Sequence, residues 1–388
     1  MTVTFDGLGI KPELTAALSA QGITEPFPIQ AQTIGDVLAG RDVCGKAKTG
    51  SGKTLAFGLP LLQQMGRSRP GRPRALVLVP TRELALQVRD VLAPLGTVLD
   101  RRVAAFYGGA PMERQIAALE RGADLAVATP GRLIDLDHRG AISLADVETL
   151  VLDEADRMAD MGFMPQVEWL LRRVERPHQT LLFSATLDGD VNYLVRHYLR
   201  DPVRHEVIST QVTVEEMEHR FLAVHQLDKV KVAAAVARGV DKTLFFTRTK
   251  RGADRLAQQL EREGLKAAPI HGDLPQRIRE RALRDFSRGQ LPALVATDVA
   301  ARGLDIDAVD VVVHYDPPED HKGYLHRSGR TARAGVEGIV VTLVLWDQVL
   351  EVERIQKRVG LQVPIVEVFS NDARLADLAA WKPGEDAA

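Results

Sequence analysis

At 388 residues the chain is too long for one ordinary core, and a hydrophobic content of 45% is enough to bury two domains with a short remainder. Fifty basic residues against 52 acidic ones give a net charge of -2, which excludes a global positive field; an anionic partner has to be gripped locally. One cysteine, Cys44, excludes an internal disulfide framework and reads as a small buried apolar residue in a reducing compartment.

The opening residues, Met1 to Gly7, lack the basic and apolar runs of a leader, and no stretch reaches about 18 apolar residues, so a cytoplasmic chain with no membrane role is expected. A short helix is predicted over 11–21, with Pro12 in its first turn, Leu14 and Leu18 on one face and Gly22 to stop it. A second begins near Pro28 and ends at Gly40. The stretch Ala47-Lys-Thr-Gly-Ser-Gly-Lys-Thr54 follows a short apolar run, Val43-Cys44. It reads either as a glycine-rich turn or as a phosphate cradle. In the cradle reading, backbone N–H groups of Thr49, Gly50, Ser51 and Gly52 face phosphate oxygens, Lys53 adds a point charge, and Thr54 offers a hydroxyl to Mg²⁺ at a helix start.

Apolar runs then recur at 75–79, 103–107, 125–128, 150–152 and 181–183, separated by helical stretches. Continuous apolar runs of this length between helices predict parallel strands buried on both faces. The alternation pauses over 205–217, a polar segment taken as the linker, and restarts at 244–246, 267–270, 293–296, 311–313 and 339–344, with a helix expected over 252–263. The expected organisation is an α/β domain over 1–204, the linker over 205–217, a second α/β domain over 218–370 and a short, frayed acidic tail over 371–388.

Asp153-Glu154-Ala155-Asp156 closes one of these strands, at the carboxyl end where open α/β sheets bind ligands. Three acids in four residues can be a solvated helix start, which favours anions. Beside a cradle they can instead hold Mg²⁺, through Asp153, and orient the attacking water, through Glu154.

With these motifs the chain resembles the DEAD-box RNA helicases of superfamily 2, over roughly residues 5–335. The resemblance implies two tandem RecA-like domains, each a mostly parallel sheet flanked by helices, with ATP and Mg²⁺ as cofactors. It implies that Gln30, in a segment resembling the family's Q motif, reads adenine, that Phe5 stacks on the base, and that Asp305 binds the ribose. Ile23 stands where an aromatic is usual, and Phe27 where Ser or Thr is usual. Ser184 and Thr186, in Ser-Ala-Thr after the fifth run, are implied to couple hydrolysis to unwinding with Asp156 and His326. In the segment from His326 to Arg333, which has Ala332 for a usual Gly, Arg330 and Arg333 are the implied arginine fingers. RNA contacts are implied at Arg82, Gly109, Thr129, Arg132, Arg248, Gly272, Gln276, Arg279 and Thr297, spread thinly as the neutral charge requires.

The function so implied is an RNA-dependent ATPase that locally separates short duplexes, or remodels RNA–protein complexes, when ATP and RNA draw two domains together. An ATP-gated RNA clamp with little unwinding uses the same motifs. A DNA translocase fits Gln30 and the DEAD-box motif set less well. Backbone gripping implies little sequence choice, with the 2′-OH marking RNA and a protein partner supplying the address.

Overall fold

The computed structural model describes residues 3–47, 51–175, 177–187, 189–207, 217–301, 309–331 and 338–381, with the side chains of 276, 299 and 301 excepted. The chain forms two compact units, Met1–Ser209 and Thr210–Ala388.

The first unit holds β1 (Val43–Lys46), β2 (Ala75–Leu78), β3 (Val103–Phe106), β4 (Leu125–Ala128), β5 (Thr149–Asp153), β6 (Gln179–Ser184) and β7 (Val203–Glu206). They form one parallel sheet in the order β3-β4-β2-β5-β6-β1-β7. Successive residues of a strand face opposite sides, so each inner strand feeds two cores. Val77, Val127, Val151 and Leu181 pack with Ile29, Ile34, Phe57 and Val88 on one side. Cys44, Leu76, Ala126, Leu150 and Leu182 pack with Leu133, Leu170 and Leu194 on the other. Burial on both faces is why these strands read as unbroken apolar runs rather than alternating ones.

The second unit repeats the plan. Its strands are β8 (Met217–Ala223), β9 (Thr243–Thr247), β10 (Ala267–Ile270), β11 (Ala293–Thr297), β12 (Val311–His314), β13 (Gly338–Val344) and β14 (Ile365–Glu367). Their order, β10-β11-β9-β12-β13-β8-β14, is that of the first sheet displaced by seven strands. All of its pairings are parallel.

Two sequence expectations are corrected. The boundary expected after residue 204 falls later, because His205 and Glu206 pair with Gly45 and Lys46 in β7, where Glu206 also accepts a 2.6 Å ion pair from Lys46. The tail is not frayed as far as Trp381: Leu375, Leu378 and Trp381 are buried in the second unit's core, and Arg374 lies over the Trp381 ring at 4.7 Å. Acidic composition concealed three apolar anchors at short spacing. Phe5 is 3% exposed and packs in the same core as Ile10, Leu14 and Leu18.

Candidate functional site

The residues expected to hold a nucleotide in the first unit come from the carboxyl ends of three adjacent strands, β5, β6 and β1, and from the helix Pro28–Leu38. Gly52 caps the helix Lys53–Gln64 with φ of +84°, a conformation L side chains rarely adopt. A Cβ there would also lie 2.4 Å from Gln30 Nε2 and 2.5 Å from a ring carbon of Phe27. Glycine is thus required twice, by backbone and by space.

Gln30 is buried and clamps this turn. Its Nε2 donates to the Gly52 carbonyl at 2.9 Å, and its Oε1 accepts the Phe27 N–H at 2.8 Å. An amide has two donors and two acceptor sites, so one of each remains. That pair matches the N6–H donor and N7 acceptor of adenine, whereas guanine presents only acceptors there.

Lys53 is buried, and its Nζ donates to the Ala47 carbonyl at 2.9 Å. Thr54 follows in the first helical turn, half-buried, as is Ser51. Asp153 is buried at the end of β5; burial pushes its carboxyl up to about 6, Lys53 pulls the other way, and Glu154 and Asp156 add to the rise. A divalent cation beside this group supplies the charge that makes its ionised form stable, so the donor set fits Mg²⁺. Glu154 sits at φ of +52° and forms a buried ion pair with Arg157 three residues on. Arg157 was not legible as a site residue; its only signal was its place one turn after the acid.

Asp156 joins β5 to β6. Its N–H donates to Ser184 Oγ at 3.1 Å, and its carboxylate accepts the Thr186 N–H at 3.2 Å.

The other half of the first sheet, β3-β4-β2, ends in the expected RNA residues. Arg82 begins the helix Arg82–Val98, lies 4.6 Å from the Tyr107 ring centroid and donates to the Gly109 carbonyl at 3.4 Å. Arg132, in the helix Pro130–His138 that Thr129 precedes, donates to the Ala110 carbonyl at 3.1 and 3.2 Å. Gly109 is exposed with φ of +75°. A residue missed in the sequence, Gln115, fixes this turn: buried, it accepts the Tyr107 N–H at 3.2 Å and donates to the Tyr107 carbonyl at 3.1 Å.

In the second unit the equivalent strands β10, β11 and β9 carry Gly272, Thr297 and Arg248 at or just beyond their carboxyl ends. Arg248 and Gly272 are exposed, Thr297 is buried and Arg279, on the helix Gln276–Ser287, is half-buried. His326 is exposed on the helix His321–Ser328, and Arg330 is half-buried just after it. Arg327, a buried residue between them, holds that helix in place through two bonds to the Asp298 carboxylate, at 2.6 and 2.7 Å, and one to the Asp316 carbonyl at 2.6 Å. Thr49, Gly50, Asp305, Ala332, Arg333 and the side chain of Gln276 lie outside the described residues. Among the described residues no helix is long and apolar enough to cross a membrane.

A family model described as DEAD/DEAH box helicase matches residues 27–194, and one described as helicase conserved C-terminal domain matches 225–335. The DEAD-box ATP-dependent RNA helicase CshA of Bacillus licheniformis is 42% identical over 346 residues, which is 89% of this chain and 71% of that protein. Its Geobacillus kaustophilus counterpart is 41% identical over 356 residues, 91% and 76% of the two. Among solved structures, S. cerevisiae Dbp5 bound to RNA and ADP BeF3 superposes with a TM-score of 0.81 at 30% identity, over 95% of this chain and 96% of that one.

Proposed function

The chain belongs to the DEAD-box ATP-dependent RNA helicases, with two RecA-like domains in tandem, and from that premise we propose that it locally separates short RNA duplexes through ATP-driven closure of its two units. Two local arrangements support this reading: Gln30 bonded to Gly52 beside the buried Lys53, and Asp156, after β5, bonded to Ser184 and Thr186 at the end of β6.

In this reading Gln30 selects adenine, Lys53 and the cradle amides of residues 49–52 hold the phosphates, and Thr54 and Asp153 hold Mg²⁺, partly through water. Held there, the ion would supply charge to neutralise the phosphates. Glu154 orients and deprotonates the attacking water, with Arg157 fixing its carboxylate. Arg330 and Arg333 belong to the second unit, so they reach the γ-phosphate only on closure, and Asp305 reaches the ribose in the same step. His326, Asp156, Ser184 and Thr186 relay the state of the phosphate to the RNA track. Each unit contributes half of that track: Arg82, Gly109, Thr129 and Arg132 from the first, Arg248, Gly272, Gln276, Arg279 and Thr297 from the second. Backbone-directed contacts of this kind confer little sequence preference. Choice of target then falls to a protein partner.

A duplex-release assay beside an ATPase assay tests the proposal. RNA-stimulated turnover with ATP-dependent release of a short duplex is expected. Stimulated turnover without release would identify a clamp, and turnover indifferent to RNA would contradict both.

A further inference from the structure

The helix Gln276–Ser287 follows β10, an edge strand of the second sheet, and buries Ala282 and Phe286 in the core beside it. Arg277, Arg281, Arg284 and Arg288 are all exposed. Their spacings of four, three and four residues set them in one line along the helix, on the side opposite the buried pair. Arg281 has a 3.5 Å ion pair with Asp285; the other three make no side-chain bond among the described residues. Glu280 and Asp285 flank the line on either side, and no acid interrupts it. This arrangement works against the helix. Like charges three and four residues apart repel, and Arg277 stands in the first turn, at the positive end of the dipole. Nor does the fold demand it. The helix Met112–Glu120 follows the edge strand β3 in the first sheet as Gln276–Ser287 follows β10, yet it carries one arginine beside two glutamates. An arginine-rich composition alone would have marked both helices.

We infer that Arg277, Arg281, Arg284 and Arg288 form a second RNA-binding surface, a ridge that takes the phosphate backbone of a helical segment flanking the strand held at the carboxyl ends of β9, β10 and β11. The inference rests on the RNA reading above. The ridge begins just after the turn that carries Gly272 and runs back along the sheet edge for about 16 Å, the axial rise of about five nucleotide steps. It is separate from the proposed track, because Arg279 lies on the other side of the same helix and is half-buried. A duplex presents its phosphates in a regular row and hides its base faces, whereas a single strand is gripped by aromatic rings on which its bases stack. This helix exposes a row of guanidinium groups and no aromatic ring, so its chemistry matches a duplex. In a chain of net charge -2, such a row is the local grip that a polyanion requires.

The test uses the full chain and two RNA probes, a short single strand and the same strand ending in a stable hairpin. In wild type the hairpin is expected to lower the Kd about tenfold or more at low salt. Arg277→Gln, Arg281→Gln, Arg284→Gln and Arg288→Gln made together are expected to abolish that gain, and to make the salt dependence of hairpin binding shallower by about two to three phosphate contacts. Binding of the short strand, and the ATPase rate it stimulates, should stay within about twofold of wild type. The Tm should be unchanged or higher, since the variant loses only exposed like charges. Equal weakening of both probes would assign the arginines to the general field around the track, and would overturn the inference. So would a wild type that gains nothing from the hairpin, or a gain that survives the four substitutions. A wild type that binds neither probe would remove the RNA reading and this inference together.

Discussion

The side-chain amide of Gln30 donates to the carbonyl of Gly52 at 2.9 Å, across 22 residues of sequence. The same carbonyl accepts the N–H groups of Leu55 and Ala56, at 3.2 and 3.3 Å, as the helix begins. In the proposed function, the residue that reads the base is therefore also a brace for the turn that receives phosphates.

Replacing Gln30 should affect both ends of the nucleotide. Gln30→Ala removes the brace and the base-reading amide, each a neutral hydrogen bond of about 1 kcal/mol, so the Kd for ATP should rise roughly 10- to 100-fold. The preference for ATP over GTP should shrink in parallel. Competition titrations with the two nucleotides measure both effects.

Glu154 and Arg157 form a buried pair, and the two should fail differently when changed. Glu154→Gln keeps the shape and should retain ATP and RNA binding while losing about 100-fold or more in turnover. Arg157→Ala leaves a carboxylate buried without its ion-pair partner and should destabilise the first unit by about 3–5 kcal/mol. Single-turnover hydrolysis and denaturant unfolding separate these outcomes.

Gln115 holds the backbone of Tyr107 by both its donor and its acceptor, just before the turn that Arg82 and Arg132 grip. Gln115→Leu keeps the bulk and removes both bonds. RNA affinity should fall about three- to tenfold, and the salt dependence of binding should become shallower by about one phosphate contact. ADP affinity, measured on the same sample, should stay constant.

Asp146 accepts from Arg72 at 2.7 and 2.9 Å and from Arg69 at 2.6 and 3.2 Å, tying the segment before β2 to the segment before β5. Hydrogen bonds from Arg72 first, and then Arg69, hold its carboxyl well below the usual range. A depressed carboxyl contributes stability above the unfolded Asp pKa of about 3.9, and that contribution is lost as pH falls towards the folded value. Asp146→Asn should therefore cost about 1 kcal/mol at pH 7, after allowance for solvent screening, with the difference from wild type narrowing below about pH 4. Unfolding curves across that range check the sign.

Much of this architecture is legible in the sequence because strands buried on both faces leave apolar runs. Leu125–Ala128 has the predicted bounds for that reason. Strands β7 and β14 lie at sheet edges, and their half-exposed residues leave no such run. The strand β8 carries Glu218, His219 and Arg220, whose polarity masks a strand paired on both sides. Site residues with fixed spacing, such as Gln30, Lys53, Glu154 and Ser184, could be named from the motifs. Residues that act by holding others, Arg157, Gln115 and Arg327, could not, because their partners are set by packing rather than by spacing.

The central claim is that the cradle of the first unit turns over only when the second unit is brought to it by RNA. Steady-state ATPase of wild type and Arg330→Ala, each with and without single-stranded RNA at saturating ATP, tests this most directly. Strong RNA stimulation is expected in wild type, with its loss in Arg330→Ala by about 10³-fold or more in the stimulated rate. Undiminished RNA stimulation in Arg330→Ala would contradict it.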